Sequence, residues 1–158
     1  MKRGLAAGTV AGAVGTLTLD VVSYGDMLLQ GRAASGLPGQ AAARLADIAG
    51  VRLGAPDSDA ARNRGTALGA LLGYGTGVAV GAAFGVWARR RSPGTAAGPA
   101  LGVVAMAVAN GPMVAQRLTD PRTWGVRGWL SDIVPHLAYG WATVGTYRVI
   151  TARWGPSA

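Results

Sequence analysis

Cysteine and glutamate are absent from the sequence, and lysine supplies only one of its 15 basic residues. The lack of cysteine excludes disulfide bonds, cysteine-ligated metals and thiolate nucleophiles. Charged residues make up only 14% of the chain, whereas hydrophobic residues make up 50% and glycine contributes 26 of the 158 residues. We expect a chain of this length to form one domain. The chemistry of the chain therefore has to be sought in its apolar runs and in the few polar residues within them.

The central apolar run covers residues 65–87 and contains no charged residue. A helix of about 20 apolar residues is long enough to cross a bilayer. Glycine costs a helix in water roughly 1 kcal/mol per position, whereas in lipid small residues at every fourth position let a second backbone approach closely. The run therefore predicts a membrane helix with a packing groove formed by its regularly spaced glycines, Gly65, Gly69, Gly73, Gly77, Gly81 and Gly85.

Three further apolar runs predict that the chain is all-α: an integral membrane bundle of four transmembrane helices with glycine-rich packing faces. The first run favours a retained helix over a cleaved signal peptide, because Asp20 lies inside it and no good Ala-x-Ala cleavage site follows. A soluble protein rich in glycine and alanine is the alternative. We expect one membrane domain, 1–158, with spans at residues 4–24, 66–88, 96–117 and 130–152.

The long segment 25–65 is predicted to be an extracytoplasmic loop with one short helix, Gln40–Ala49, resting on the membrane surface or on the bundle. Four spans place both termini on one side of the membrane. The shortest loop carries Arg89 to Arg91 and no acid, which under the positive-inside rule favours cytoplasmic termini in a cytoplasmic (inner) cell membrane. We interpret the net charge of +8 as a determinant of membrane topology and not as a sign of nucleic-acid binding, because no helix has a basic face.

Polar residues of the last span recur at steps of three and four, which places them on one helical stripe. Their distance from the helix end puts Asp132 and His136 at the depth of Asp20 in the first span and Asn110 in the third, near the long loop. Ionisable groups at that depth are costly and normally face the bundle interior or water. We therefore predict a shared polar pocket formed by Asp20, Tyr24, Asn110, Asp132, His136 and Tyr139.

This predicted pocket has two interpretations. In the structural one, which we favour, Asp132 pairs with His136 one turn away and Asn110 caps a helix interrupted at Pro112. In the functional one, the pocket is a proton, ion or metal site, with His136 as a neutral ligand or proton carrier and Asp20 and Asp132 as carboxylate partners. Whether a metal binds His136 and Asp132 stays open at this point, and no cofactor is predicted.

Short motifs are distributed along nearly the whole chain: Gly15-Thr16 with Asp20, Tyr24-x-Asp26-Met27, Gly31-Arg32, Gly69 to Tyr74, Gly111-Pro112, Thr119-Asp120-Pro121-x-Thr123-Trp124, and Trp129-x-x-Asp132-x-x-Pro135-His136-x-x-Tyr139-Gly140. In these motifs the chain resembles a group of uncharacterised small multi-pass membrane proteins of high-GC bacteria. The resemblance implies a membrane location. It implies no particular activity or mechanism.

Three classes of function fit these observations. The first is a structural or accessory membrane protein that binds lipid, a partner membrane protein or a second copy of itself through glycine grooves. The second is a small proton- or ion-coupled transporter or channel that uses Asp20, Asp132 and His136. A membrane-embedded enzyme with His136 and an aspartate as acid and base ranks last, because no nucleophile, phosphate-binding loop or repeat of metal ligands accompanies the pair.

Overall fold

The structure is a computed structural model that describes residues 1–153, and over that range it consists of helices and loops without a strand. The helices are α1 (Lys2–Gln30), α2 (Leu37–Ile48), α3 (Asp59–Ala88), α4 (Ala97–Ala115) and α5 (Gly125–Ala152), with a short 3₁₀ turn at Pro121–Thr123 before α5. Of these five α-helices, three are long and apolar enough to cross a membrane: α1, α3 and α4.

Several helices extend beyond the apolar runs that predict them. α1 continues six residues past residue 24 and ends where Gly31 adopts a left-handed backbone conformation, with φ of 63°. α3 begins before residue 66 because the side chain of Ser58 caps it, accepting a 3.1 Å hydrogen bond from the backbone N–H of Ala61. α2 starts at Leu37 and not at Gln40. Much of segment 25–65 is therefore helical.

α1 and α3 lie antiparallel, with their backbones in contact. A Cβ atom built on Gly8 would lie 2.8 Å from the Cα of Gly85, and one built on Gly12 would lie 3.0 Å from the Cα of Gly81. Distances this short are not tolerated when the neighbouring atom belongs to a backbone. These positions require glycine because any side chain would push the two helices apart.

The six evenly spaced glycines of α3 do not share one partner. The last three face α1, whereas Gly65 and Gly69 face Pro38 and Gly39 at the start of α2. Between these groups, a Cβ atom built on Gly73 would meet nothing within 4 Å. A step of four residues turns a helix about 40° more than a full turn, so five steps rotate the row by about 200°. The row therefore forms two separate contacts on opposite sides of α3.

α5 runs parallel to α3 at the same height. The hydroxyl of Tyr139 donates a 2.6 Å hydrogen bond to the carbonyl of Gly77, and the hydroxyl of Tyr147 donates a 3.3 Å bond to the carbonyl of Gly85. Each pair is separated by 62 residues, so the two helices keep one register over two turns. α1 also packs on α5, because a Cβ atom on Gly15 would lie 2.9 Å from the ring of Tyr139.

α4 packs antiparallel to α5 through a third glycine contact. Gly98 lies against Trp141, and a Cβ atom built on Gly102 would lie 2.6 Å from the carbonyl oxygen of His136 and 3.0 Å from the Cα of Leu137. This close approach places α4 near enough to α5 for short side chains to meet between the two helices.

α2 contacts both α3 and α4 at one end of the bundle. We call this end, which contains residues 37–48, the α2 end. Its start packs on Gly69 of α3, as described above. From its exposed side, Arg44 donates a 2.5 Å hydrogen bond to the carbonyl of Gln116, at the end of α4. The short helix predicted between the first two spans therefore packs against the bundle.

Candidate functional site

The largest group of predicted polar residues lies between α4 and α5, towards the α2 end. The amide of Asn110 donates a 2.7 Å hydrogen bond to Oδ2 of Asp132. Nδ1 of His136 lies 2.7 Å from the backbone carbonyl of Asp132 and 3.4 Å from its Oδ1. We call Asn110, Asp132 and His136 the polar cluster.

The geometry assigns the proton positions on the imidazole. A carbonyl oxygen only accepts hydrogen bonds. Nδ1 of His136 therefore carries a proton and donates a hydrogen bond to the backbone carbonyl of Asp132. Nε2 is then the atom that can bind a further proton or a ligand. The side chain of His136 is 11% exposed and that of Asp132 is 22% exposed. Of the two ionisable groups, the carboxylate is thus the one less covered by protein.

Local sequence explains why these three side chains meet. Gly102 and Gly140 bring the helices together, since a Cβ atom on Gly140 would lie 2.6 Å from the backbone nitrogen of Gly102. Asn110, two turns further along α4, then reaches across the interface. Asp132 and His136 are one turn apart on α5 and face the same way. The prediction that Asp132 and His136 face each other agrees with this geometry.

Tyr139 lies one turn further along α5, but its hydroxyl points to α3 and not to the polar cluster. Tyr139 is 1% exposed, and its hydroxyl donates the hydrogen bond to the carbonyl of Gly77 described above. Tyr139 therefore ties α5 to α3, while Asn110 and Asp132 tie α5 to α4.

We expect Tyr139→Phe to destabilise the protein by about 1 kcal/mol, because the carbonyl of Gly77 loses a short hydrogen bond. Tyr147→Phe is the matched control: its bond is longer, at 3.3 Å, so the expected loss is a few tenths of a kcal/mol. Unfolding in mixed micelles measures both. Equal losses would show that the bond lengths do not reflect bond strengths.

Asp20 and Tyr24 lie away from the polar cluster, on the face of α1 that packs on α3. Thr16, one turn before Asp20, lies against Gly77 of α3. Asp20 follows Thr16 by one turn on the same side of α1, in the vicinity of Tyr74 of α3. The six residues predicted to share one pocket therefore occupy three places: the polar cluster, the Tyr139 contact with α3, and the α1–α3 interface.

Tyr74 is the functional candidate that reasoning from the sequence missed. It lies within the glycine-rich run of α3 and has no charged residue nearby in the chain. The signal that could have found it is the row of small and polar residues at four-residue steps on α1. This row continues past the glycines of α1 to Thr16, Asp20 and Tyr24, so a polar partner on α3 was to be expected.

The structure also bears on metal binding. No group of three or more histidine, aspartate or glutamate side chains that could hold a metal ion occurs within residues 1–153. A metal at His136 and Asp132 would therefore have two such ligands, with Asn110 as the nearest amide.

Comparisons of the chain with protein-family models, curated proteins and solved structures found no match. Two places carry polar chemistry between helices: the polar cluster and the α1–α3 interface around Asp20.

Proposed function

We propose that the protein is a four-span membrane protein with an accessory or structural role, binding lipid or a partner helix on its outer faces. The observation that carries this proposal is the parallel register of α5 and α3. Because Tyr139 and Tyr147 meet Gly77 and Gly85 at matched heights, α5 covers the same depth as α3. If α3 spans the membrane, α5 spans it too.

α5 contains polar residues that lower its hydropathy. They are compatible with a membrane location, because they are buried inside the bundle. His136, Tyr139, Thr143 and Tyr147 are buried against neighbouring helices. Outward positions of the same helix carry Leu130, Val134, Trp141 and Val149, all of which are exposed. Polar groups inside and apolar groups outside are the arrangement that lipid favours.

An accessory role is supported by how the inner surfaces are used. Most of the helical glycines with backbone contacts pack against other helices of the same chain, and most of the buried polar side chains are hydrogen-bonded within it. The glycine faces therefore serve internal packing in this proposal, and a partner would bind elsewhere. Backbone contact also leaves little room for a substrate between residues 4–12 of α1 and 77–85 of α3.

Cysteine labelling tests the four spans, because the chain has no cysteine of its own. We expect a membrane-impermeant thiol reagent added to intact cells to label Ser35→Cys and Thr123→Cys, but not Ser92→Cys or Ala152→Cys. If α5 lies outside the bilayer, Ala152→Cys will be labelled together with Thr123→Cys. The opposite pattern at all four sites would reverse the orientation.

Proton-coupled transport is the second candidate, favoured by one observation. Thr143, in line with His136 and Tyr139 on α5, is fully buried and its hydroxyl has no hydrogen-bond partner within residues 1–153. Such a hydroxyl could relay a proton along the buried stripe. Proton flux into proteoliposomes that is abolished by both His136→Ala and Thr143→Val would favour transport; absence of flux in the unaltered protein would remove it.

A further inference from the structure

Three helices have ends that carry basic residues and no acid. Residues 2–3 open α1, residues 89–91 follow α3, and residues 148 and 153 lie at the end of α5. All of these residues are lysine or arginine, and all of them are exposed. We call residues 2–3, 89–91, 148 and 153 the basic end.

The fold brings these separate segments together. A Cβ atom built on Gly4 would lie 2.7 Å from the carbonyl oxygen of Gly85 and 2.9 Å from the Cβ atom of Arg89. Arg89 therefore starts directly beside the first turn of α1. The hydroxyl of Tyr147 donates its hydrogen bond to the same carbonyl of Gly85, which places the next residue, Arg148, at the same height. The basic end is thus one surface formed by three parts of the chain.

The aspartates of the chain lie far from the basic end. Asp20 follows Lys2 by 18 residues on α1, and Asp132 precedes Arg148 by 16 residues on α5. At the helical rise of 1.5 Å per residue, these separations are about 27 Å and 24 Å. The other five aspartates lie still farther towards the α2 end. Because salt screens surface charges over about 8 Å, these carboxylates leave the basic end unneutralised.

Some cations of the basic end are already engaged by the protein. Arg148 donates a 2.8 Å hydrogen bond to the carbonyl of Gly94, and the guanidinium of Arg91 lies 4.8 Å from the ring centroid of Trp87. Four others form no ion pair within residues 1–153: Lys2, Arg3, Arg89 and Arg90. These four lie where α1 meets α3, and an anion from another molecule would stabilise them.

Resting on the membrane location and the lipid binding proposed above, we infer that the basic end binds the phosphate headgroup of an anionic phospholipid. Lysine and arginine donate charge-assisted hydrogen bonds to phosphate oxygens, and clusters of about four to eight such residues beside a span attract anionic lipids. Exposed apolar side chains lie next to the cations, Leu5 on α1 and Trp87 on α3. The acyl chains run from the headgroup along these side chains into the bilayer.

The position of the basic end favours a lipid over a soluble anion. If α1, α3 and α5 span the bilayer, their ends lie at its surface, which is the depth of the lipid phosphates. Trp87 precedes Arg89 by two residues, and tryptophan is enriched at that depth. A nucleic acid would need a basic surface that follows its backbone, whereas this one is bordered by Leu5 and Trp87. A zwitterionic lipid carries its own ammonium group and gains less from the cations.

Lipid retention tests the inference. The full chain is reconstituted into vesicles of equimolar phosphatidylcholine and phosphatidylglycerol, released into mild detergent, and the lipids that remain bound are counted by native mass spectrometry. Both leaflets contain both lipids, so the result does not depend on the direction of insertion. We expect phosphatidylglycerol to be retained in preference. Arg89→Gln should lower this preference about 5-fold, and Arg89→Gln combined with Arg90→Gln should lower it about 30-fold.

Matched variants separate the site from the net charge. Arg122→Gln combined with Arg127→Gln removes two exposed arginines around the start of α5 and should leave the preference unchanged. Arg89→Lys keeps the charge and should keep most of the preference. Equal losses in the two double variants, or no preference in the unaltered chain, would overturn the inference. Inorganic phosphate that binds the lipid-free chain as tightly as phosphatidylglycerol would overturn a lipid as the ligand.

Failure of this inference can be told apart from failure of the proposed function. Carbonate extraction and the cysteine labelling described above report the membrane location independently of lipid retention. A chain that stays in the membrane with four spans but retains both lipids equally would overturn the inference alone. A chain released by carbonate would overturn both.

Discussion

Replacing Gly81 by leucine should disrupt the protein, whereas the same replacement at Gly73, two turns away in the same glycine row, should be tolerated. A Cβ atom on Gly81 would lie 2.7 Å from the backbone nitrogen of Gly12 and from the carbonyl oxygen of Gly8. Since these are backbone atoms, α1 and α3 must separate. Overpacking of this kind costs about 1–3 kcal/mol or more. At Gly73 the space is open, so the expected change is within about 0.5 kcal/mol.

The measurement is unfolding of the purified variants in mixed micelles, together with their accumulation in membranes. Gly69→Leu provides a further comparison, because it should disturb the contact with Pro38 of α2 and leave α1 in place. Equal losses at Gly73 and Gly81 would show that the row acts as one continuous groove. That result would also contradict the rotation of the row around α3.

Removing the carboxylate of Asp132 should be the most damaging polar substitution on α5. Asp132→Ala leaves the half-buried amide of Asn110 without its acceptor, which costs about 1–3 kcal/mol. Asp132→Asn keeps one oxygen in place and should cost clearly less. Combining Asn110→Ala with Asp132→Ala should cost less than the two single losses added together, with a coupling of about 0.6–1.7 kcal/mol.

Unfolding of the four variants in mixed micelles measures this coupling. A loss in Asp132→Asn as large as in Asp132→Ala would show that the negative charge, and not the hydrogen bond, stabilises the cluster. Asp120→Asn is a suitable control, because Asp120 is exposed and its side chain accepts a hydrogen bond only from the nearby backbone of Arg122 within residues 1–153.

The helices themselves could be predicted from the sequence. Long apolar runs indicate α1, α3 and α4, and the pairing of Asp132 with His136 follows from their spacing of four residues on one helix. The position of each residue along its helix could also be predicted, because it depends only on distance from the helix ends. Contacts within a helix and positions along it are set by the local chain.

Direction around each helix could not be predicted in the same way. Asp20 lies on the side of α1 that faces α3, and the polar cluster lies between α4 and α5, although both belong to similar depths. Which faces meet depends on how the helices are rotated against one another. A glycine contact determines that rotation only for the two helices that share it. The division of the α3 glycines between α1 and α2 is one result. Another is that Tyr139 points to α3.

The position of α2 has a consequence for biosynthesis. α2 precedes α3 in the chain, but it docks against both α3 and α4, where Arg44 binds the carbonyl of Gln116. As the ribosome delivers the chain from its N-terminus, α1 and α3 can pair as soon as both have left it. α2 can complete its docking only after Gln116 has been synthesised and α4 has joined the bundle. The short helix is thus made early and docked late, which makes its docking a marker that α4 has joined the bundle.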